Sequence, residues 1–153
     1  SFSSFYFNAG QVLIVPKDST VTGVEQLSGL RVGAPLGSEA DTYLRKLVMS
    51  DPSIIANSEY DLAYQVLDAL RRGSLDAAIV DNAAALHALG NYDDLKMVGP
   101  ALTLEPYVLA MPVAAFQLRS EVNRALDELR AEGFFEVLNE RWFVETPARV
   151  PQS

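Results

Sequence analysis

Val32-Gly33-Ala34-Pro35-Leu36-Gly37-Ser38-Glu39-Ala40-Asp41-Thr42-Tyr43-Leu44 is the stretch that decides the fold. Its short apolar start, Val32–Ala34, reads as a buried strand. Pro35, Leu36 and Gly37 then turn the chain. Ser38 suits an N-cap, and Asp41 three residues on gives the spacing of a capping box. Ala40, Tyr43, Leu44, Leu47 and Val48 recur at helical spacing and make one apolar face. A strand, a glycine turn and a helix N-terminus offer a small anion backbone N–H groups without internal partners and the positive end of the helix dipole. Taken alone, the stretch is an ordinary strand-to-helix turn of an α/β domain. Its neighbours decide whether it is also a site.

Working outward, Val12-Leu13-Ile14-Val15 within Gln11–Pro16 is a β-branched run consistent with a buried strand, and Ser1–Ala9 before it reads as extended and aromatic-rich. Val24–Ser28 suits a short helix stopped by Gly29. Downstream, Pro52–Tyr60 reads as a strand. Asp61 is placed to cap a helix with Leu62, Val66, Ala69 and Leu70 on its apolar face. Arg71 and Arg72 sit where cations complement the dipole, and Gly73 ends that helix. Leu75–Val80 is a strand running into Asp81. Asn82–Leu89 is an Ala-rich helix closed by Gly90, and Leu95–Val98 is a further strand. Strands alternating with helices over short connections predict an α/β protein with a doubly wound, mostly parallel sheet and flanking helices. After Gly99 the pattern changes. Leu102–Pro106 is a connection, Tyr107–Met111 one more apolar strand, and the rest is helical, with Val122, Ala125, Leu126 and Leu129 on one face and Gly133 interrupting. Thr146–Ser153 reads as a tail.

The 153 residues are 49% hydrophobic and 21% charged, enough for a packed core in one domain or one and a part. A net charge of −8 argues against nucleic acid and anionic membranes, which need a basic footprint. Without cysteine there are no disulfides, thiol nucleophiles or thiolate metal sites. No apolar run approaches a membrane span. No signal peptide opens the chain, so the expectation is a cytoplasmic protein or a mature or trimmed piece.

Open α/β sheets bind ligands at the carboxyl ends of their strands. Two such ends stand out, Pro35–Glu39 and Asp81. A carboxylate at Asp81 can pair with a ligand ammonium, or simply cap the next helix. Together the two ends can hold a zwitterion by both charges. Glu39 works against this, because a carboxylate in the first turn already complements the dipole. No catalytic residue is assigned. The lone His87 sits in an Ala-rich helix, no Gly-x-Ser-x-Gly surrounds a serine, and no metal-ligand spacing, dinucleotide fingerprint or P-loop occurs, so no cofactor or metal is expected. Phe134, Phe135, Trp142 and Phe143 fall at core spacing, and Tyr6 and Phe7 fit either packing or a ligand lid.

Several short motifs in order resemble a known family. Phe2-Ser3-x-x-Tyr6-x-x-x-Gly10-Gln11 before the Val-Leu-Ile-Val run is similar to the crossover into the second lobe of periplasmic amino-acid ABC-transporter binding proteins, the family 3 solute-binding proteins. Gln26-Leu27-x-Gly29-x-x-Val32-Gly33, Leu36-Gly37-Ser38-x-Ala40, Ala69-Leu70-x-x-Gly73-x-x-Asp76-Ala77 and Val80-Asp81 continue the likeness. Thr103-x-Glu105-Pro106-Tyr107 resembles the crossover back. Asn123-x-Ala125-Leu126-x-x-Leu129, Gly133 and Arg141-Trp142-Phe143 resemble the closing helices.

The resemblance implies a type II periplasmic-binding-protein lobe with the N-terminal lobe largely missing. Residues 1–10 form the hinge, 11–104 the second lobe, 105–112 the crossover strand, 113–145 the helices that complete the first lobe in the family, and 146–153 the tail. It implies a periplasmic or extracellular module that binds an amino acid or similar small molecule, closes as a Venus flytrap, and serves an ABC-transporter permease or a sensor. The ligand-binding positions carried over are Pro35, Leu36, Gly37, Ser38, Glu39, Val80 and Asp81, with the carboxylate at Gly37–Glu39 and the ammonium at Asp81. Pro35, Leu36 and Val80 are apolar, which implies a ligand less polar than Gln, Arg or Lys. Glu39 departs from the small or hydroxylic residue more often found there. Two other readings stand beside this one. One is a dehydratase of the same fold acting on prephenate-like acids, with Glu39 as proton donor. The other is an oligomerising fragment that binds nothing. The apolar face of the C-terminal helices is expected to fold back on its own lobe or to be covered by a second copy in a homodimer.

Overall fold

The computed structural model describes residues 1–144, so the tail at Thr146–Ser153 lies outside the described residues. Its centre is a five-stranded sheet in the order β4-β3-β5-β2-β6, formed by β2 (Gln11–Pro16), β3 (Arg31–Pro35), β4 (Ile55–Tyr60), β5 (Ala77–Asp81) and β6 (Leu95–Val98). β3 pairs in parallel with β4 and β5, as expected from alternating strands and helices. β2 runs the other way, antiparallel to both β5 and β6. Four of the five strands therefore share a direction, and one central strand opposes them.

The side-chain alternation of a strand divides β2 between two cores. Val12 and Ile14 join Val66, Leu70 and Val80 beneath α2 (Ala63–Arg71) and α3 (Asn82–Asn91). Leu13 and Val15 join Leu27, Val32, Leu44 and Ile79 beneath α1 (Glu39–Ser50). Helices thus cover both faces of the sheet, and a strand buried on both faces must be apolar throughout. The short helix expected at Val24–Ser28 is a 3-10 turn, Val24–Gln26. α2 is not capped by Asp61. Its N-cap is Leu62, and Gln65 Oε1 accepts the backbone N–H groups of Asp61 (2.9 Å) and Leu62 (3.2 Å). α3 runs through Gly90 to Asn91 rather than closing at it.

Outside the sheet, Ser1–Asn8 runs antiparallel along 106–111. β1 (Phe7–Asn8) pairs with β7 (Pro106–Tyr107), and Phe2 bridges Ala110. The strand expected over Tyr107–Met111 is thus a two-residue ladder and one isolated bridge. α4 (Phe116–Ala131) is tied to this ribbon by hydrogen bonds, among them one from Arg119 Nη1 to the Ser1 hydroxyl at 3.4 Å. Ser4 N–H donates to Asn123 Oδ1 at 2.8 Å, and Arg130 Nη2 donates to the Phe5 carbonyl at 2.8 Å. Gly133 (φ 73°) separates α4 from α5 (Phe134–Asn139), which runs into a π-helical turn, Glu140–Val144. That turn packs against α3. Part of the C-terminal segment therefore folds back on the lobe, while Phe116, Leu118, Val137 and Trp142 stay exposed.

Candidate functional site

β3 and β5 pair in parallel at Val32–Ala77 and Gly33–Ala78, and they end at Pro35 and Asp81, at the same edge of the sheet. The turn after β3 and the carboxylate at the end of β5 therefore leave the sheet side by side at its carboxyl edge. Gln11, the first residue of β2, pairs with Asp81 on the other side and brings the crossover ribbon to the same rim.

The turn has a well-determined shape. Gly37 takes φ 70°, a left-handed conformation that a side chain would strain. Ser38 caps α1, with its Oγ accepting the Asp41 N–H at 3.2 Å while donating to the Pro35 carbonyl at 2.6 Å. The expected partner in the cap, Asp41, does not return its bond to Ser38. Its carboxylate accepts the Gly37 N–H at 3.1 Å instead, together with the Ser58 hydroxyl at 2.6 Å and Arg45 Nε and Nη2 at 3.1 and 3.0 Å. Burial pushes the Asp41 carboxyl up, but the bonds from Ser58, Arg45 and Gly37 outweigh it and hold it below the ordinary carboxylate range. Asp41 thus clamps the turn to β4, a role that local spacing does not show because Ser58 lies 17 residues away. Leu36 N–H donates to the Tyr60 carbonyl at 2.7 Å and anchors the same turn to β4. What remains at the open end of α1 are the N–H groups of Glu39 and Ala40, in the first turn where a helix leaves its donors without internal partners.

Asp81 caps α3 through Oδ1, which accepts the Ala84 N–H at 2.9 Å. The carboxylate is half-buried, and its second oxygen has no hydrogen-bond partner among the described residues. The capping and ligand readings of Asp81 are therefore compatible. The other sequence-predicted residues divide. Leu36, Gly37 and Glu39 are exposed and Ser38 half-buried at the turn. Pro35 is buried, and Val80 is fully buried in the core with Val12, Val66 and Leu70, so these two shape the rim from beneath rather than lining an open hollow. His87 is exposed on α3.

Sequence reasoning missed a polar knot where the ribbon meets the rim. Asn8 Oδ1 accepts the N–H groups of Gly10 (3.0 Å) and Glu105 (2.8 Å). Gln11 donates through N–H to Thr103 Oγ1 (2.8 Å) and through Nε2 to Glu105 Oε1 (3.0 Å). Asn82 Nδ2 donates to the Asn8 carbonyl at 2.9 Å. A Cβ at Gly10 would collide with the Thr103 carbonyl, so the two crossing strands approach as closely as they do because that residue is glycine. The signal available in the sequence was the pairing of Asn8-x-Gly10-Gln11 with Thr103-x-Glu105, whose meaning depends on contacts more than 90 residues apart. Among the described residues no group of His, Cys, Asp and Glu is placed to hold a metal ion, and no helix is long and apolar enough to cross a membrane.

A mixed α/β lobe whose rim sets a helix N-terminus beside a strand-end carboxylate, with two crossing strands at one end, has the features of the extracellular solute-binding class. The chain belongs to the bacterial extracellular solute-binding proteins, family 3, whose family model matches residues 1–145. It is 31% identical over 148 residues to the ABC transporter glutamine-binding protein of Bacillus subtilis, covering 96% of this chain and 53% of that protein. It is 30% identical over 145 residues to the L-cystine-binding protein of Escherichia coli K12, covering 93% and 53%. The chain thus spans about half the length of these relatives. In fold it matches the unliganded, open L-cystine solute receptor of Neisseria gonorrhoeae, with a TM-score of 0.76 at 20% identity over 96% of this chain and 62% of that one.

Proposed function

We propose that this chain forms the lobe of an extracytoplasmic amino-acid-binding protein that captures a zwitterion at its rim and closes over it by bending at the crossing strands. The N–H groups of Glu39 and Ala40, with the α1 dipole, take the ligand carboxylate. The second oxygen of Asp81 takes the ammonium in a charge-assisted bond. Gly37 and Ser38 give the turn its shape, Leu36 borders it, and Pro35 and Val80 pack beneath. Bending falls on the ribbon at Asn8–Gln11 and Thr103–Glu105, where the chain enters and leaves the sheet region. An ABC-transporter permease is the partner that such a protein delivers to. The single observation that carries this reading is the adjacency of the Leu36–Glu39 turn and Asp81 on neighbouring parallel strands.

Calorimetric titration of the full-length protein with the amino acids tests it, beside a turnover assay with prephenate. Saturable binding without turnover is the expected result, and phenylpyruvate formation would replace the reading with the dehydratase one. Asp81→Asn is the sharper variant, because asparagine caps a helix about as well as aspartate but carries no charge. It should leave the melting temperature unchanged and weaken amino-acid binding about tenfold to a hundredfold. Unaltered affinity would remove Asp81 from the site.

A further inference from the structure

The β2–β5 ladder does not stop where its strands stop. Gln11 lies opposite Asp81, and beyond them the Asn82 N–H donates to the Gly10 carbonyl at 3.0 Å. An antiparallel ladder kept in register would next bring the Ala84 N–H to the Asn8 carbonyl. That N–H is taken, because α3 has begun and Asp81 Oδ1 accepts it at 2.9 Å. The Asn82 side chain supplies the missing rung instead, with Nδ2 donating to the Asn8 carbonyl at 2.9 Å. Asp81 and Asn82 thus divide two tasks at one turn. The carboxylate caps the helix, and the neighbouring amide holds the ribbon.

The residue that Asn82 holds is the node between the two crossing strands. Asn8 Oδ1 accepts the N–H groups of Gly10 on its own strand and of Glu105 on the other, and its Nδ2 donates to the Thr103 carbonyl at 3.3 Å. One planar peptide unit separates the residue bearing the rim carboxylate from the residue that grips this node. Asn82 is half-buried, and its bonds join the sheet region to the ribbon without using the C-terminal helices.

We propose that Asn82 is the positioning residue that couples the ligand's ammonium on Asp81 to bending of the ribbon. The proposal rests on the rim reading, which gives Asp81 the ammonium and the ribbon the bend. A ligand shifts a two-state equilibrium only by interacting differently with the two states. Asn82 supplies that difference, because it fixes the carboxylate to the node on which the ribbon turns. Without the amide, the ribbon bends independently of Asp81, and the bond to the ammonium no longer holds the closed state. The ligand then leaves faster, although every group that touches it is still in place.

The experiment uses the full-length protein and four forms of it: native, Asn82→Ala, Asp81→Asn and the double variant. The probes are the common L-amino acids and L-cystine, screened by calorimetry. The tightest binder is then followed by stopped-flow fluorescence for its association and dissociation rates. Asn82→Ala should weaken binding about fivefold to tenfold, the effect of one lost hydrogen bond, through faster dissociation with association nearly unchanged. In the Asp81→Asn background the same substitution should cost less than about twofold, because residues acting through one contact are not additive. Asn82→Leu, similar in size to asparagine but without a donor, should behave as Asn82→Ala does and serves in its place if the alanine variant does not fold. A purely structural role would lower the melting temperature and leave the affinity of the folded protein unmoved. That result, or equal losses in both backgrounds, overturns the coupling and leaves the rim reading standing. An Asp81→Asn variant that binds as the native protein does, or no binding by any probe, overturns both.

Discussion

The sheet region, Gln11–Val98, and the helical region, Phe116–Val144, carry similar amphipathic patterns with opposite results. In the first, apolar residues at strand and helix periods find each other within the region, and Leu13, Ile14, Val32, Leu44, Leu70 and Ile79 are fully buried. In the second, Leu126 is the one buried residue among those described, while Phe116, Leu118, Phe134, Val137 and Trp142 keep between 41 and 63% of their surface. Helical periodicity therefore states which face is apolar but not what covers it. The sheet region is its own partner. The helical region is held to the ribbon by a few directional bonds, Ser4 to Asn123, Arg130 to Phe5 and Arg119 to Ser1, and to the sheet region by the turn of Glu140–Val144 against α3.

The comparison breaks if truncations in the two regions cost the same. Leu13→Ala empties space at the centre of the sheet, where nothing can collapse into it, and should destabilise the protein by about 3 kcal/mol. With total stabilities of about 5–15 kcal/mol, that is a large fraction of the fold. Urea unfolding of the purified protein measures it. A loss below about 1 kcal/mol would mean that the sheet core is not where stability resides.

A smaller effect sharpens the comparison at the rim. Asp41 joins α1, the turn and β4, and replacing it with Asn removes a charged acceptor from bonds to Gly37, Ser58 and Arg45. The expected cost is about 2 kcal/mol at neutral pH. Its sign with pH follows from the direction of the shift. The folded carboxyl titrates below its ordinary value, so its contribution is present above about pH 4 and is lost as pH falls through the lowered folded value. Urea midpoints between pH 7 and pH 2.5 should therefore fall more steeply for the native protein than for Asp41→Asn, the two converging at the acid end. Parallel profiles would show that the clamp carries no linkage. Asp76, held low by Arg31, adds a similar slope to both proteins and cancels in the difference.

Much of this was legible in the sequence, and the remainder was hidden for identifiable reasons. The turn after β3, the Ser38 cap and the apolar face of α1 follow from local spacing, and they are present. Val12-Leu13-Ile14-Val15 reads as a buried strand in either direction, because a run apolar on both faces carries no polarity. The ribbon delivers β2 at the rim where β5 ends, and this makes it antiparallel. Asp61 and Gln65 both have a legitimate claim to the start of α2, and the longer side chain reaches two N–H groups at once. At the candidate site, Ser38 and Asp81 could be named from strand ends alone, as the two helix caps they prove to be. Asp41's bond to Ser58 and the knot of Asn8, Gln11, Thr103 and Glu105 are contacts across long sequence separations, and no local pattern encodes them.

The smallest expected effect tests the other half of the comparison. Phe116 and Leu118 are 63 and 48% exposed at the start of α4, where the bond to the ribbon comes from Arg119 to the Ser1 hydroxyl and not from either of them. Truncating a well-exposed apolar side chain removes little buried area, leaves no cavity and frees no polar partner, so none of the mechanisms behind large losses applies. Arg119 does lie 5.9 Å from the Phe116 ring, but an exposed contact of that kind contributes at most about 1 kcal/mol. Phe116→Ala together with Leu118→Ala should therefore change unfolding free energy by less than about 1 kcal/mol in total, against about 3 for Leu13→Ala alone. A double-variant loss as large as that of the core substitution would mean that this face is covered in solution and that its exposure belongs only to the isolated chain.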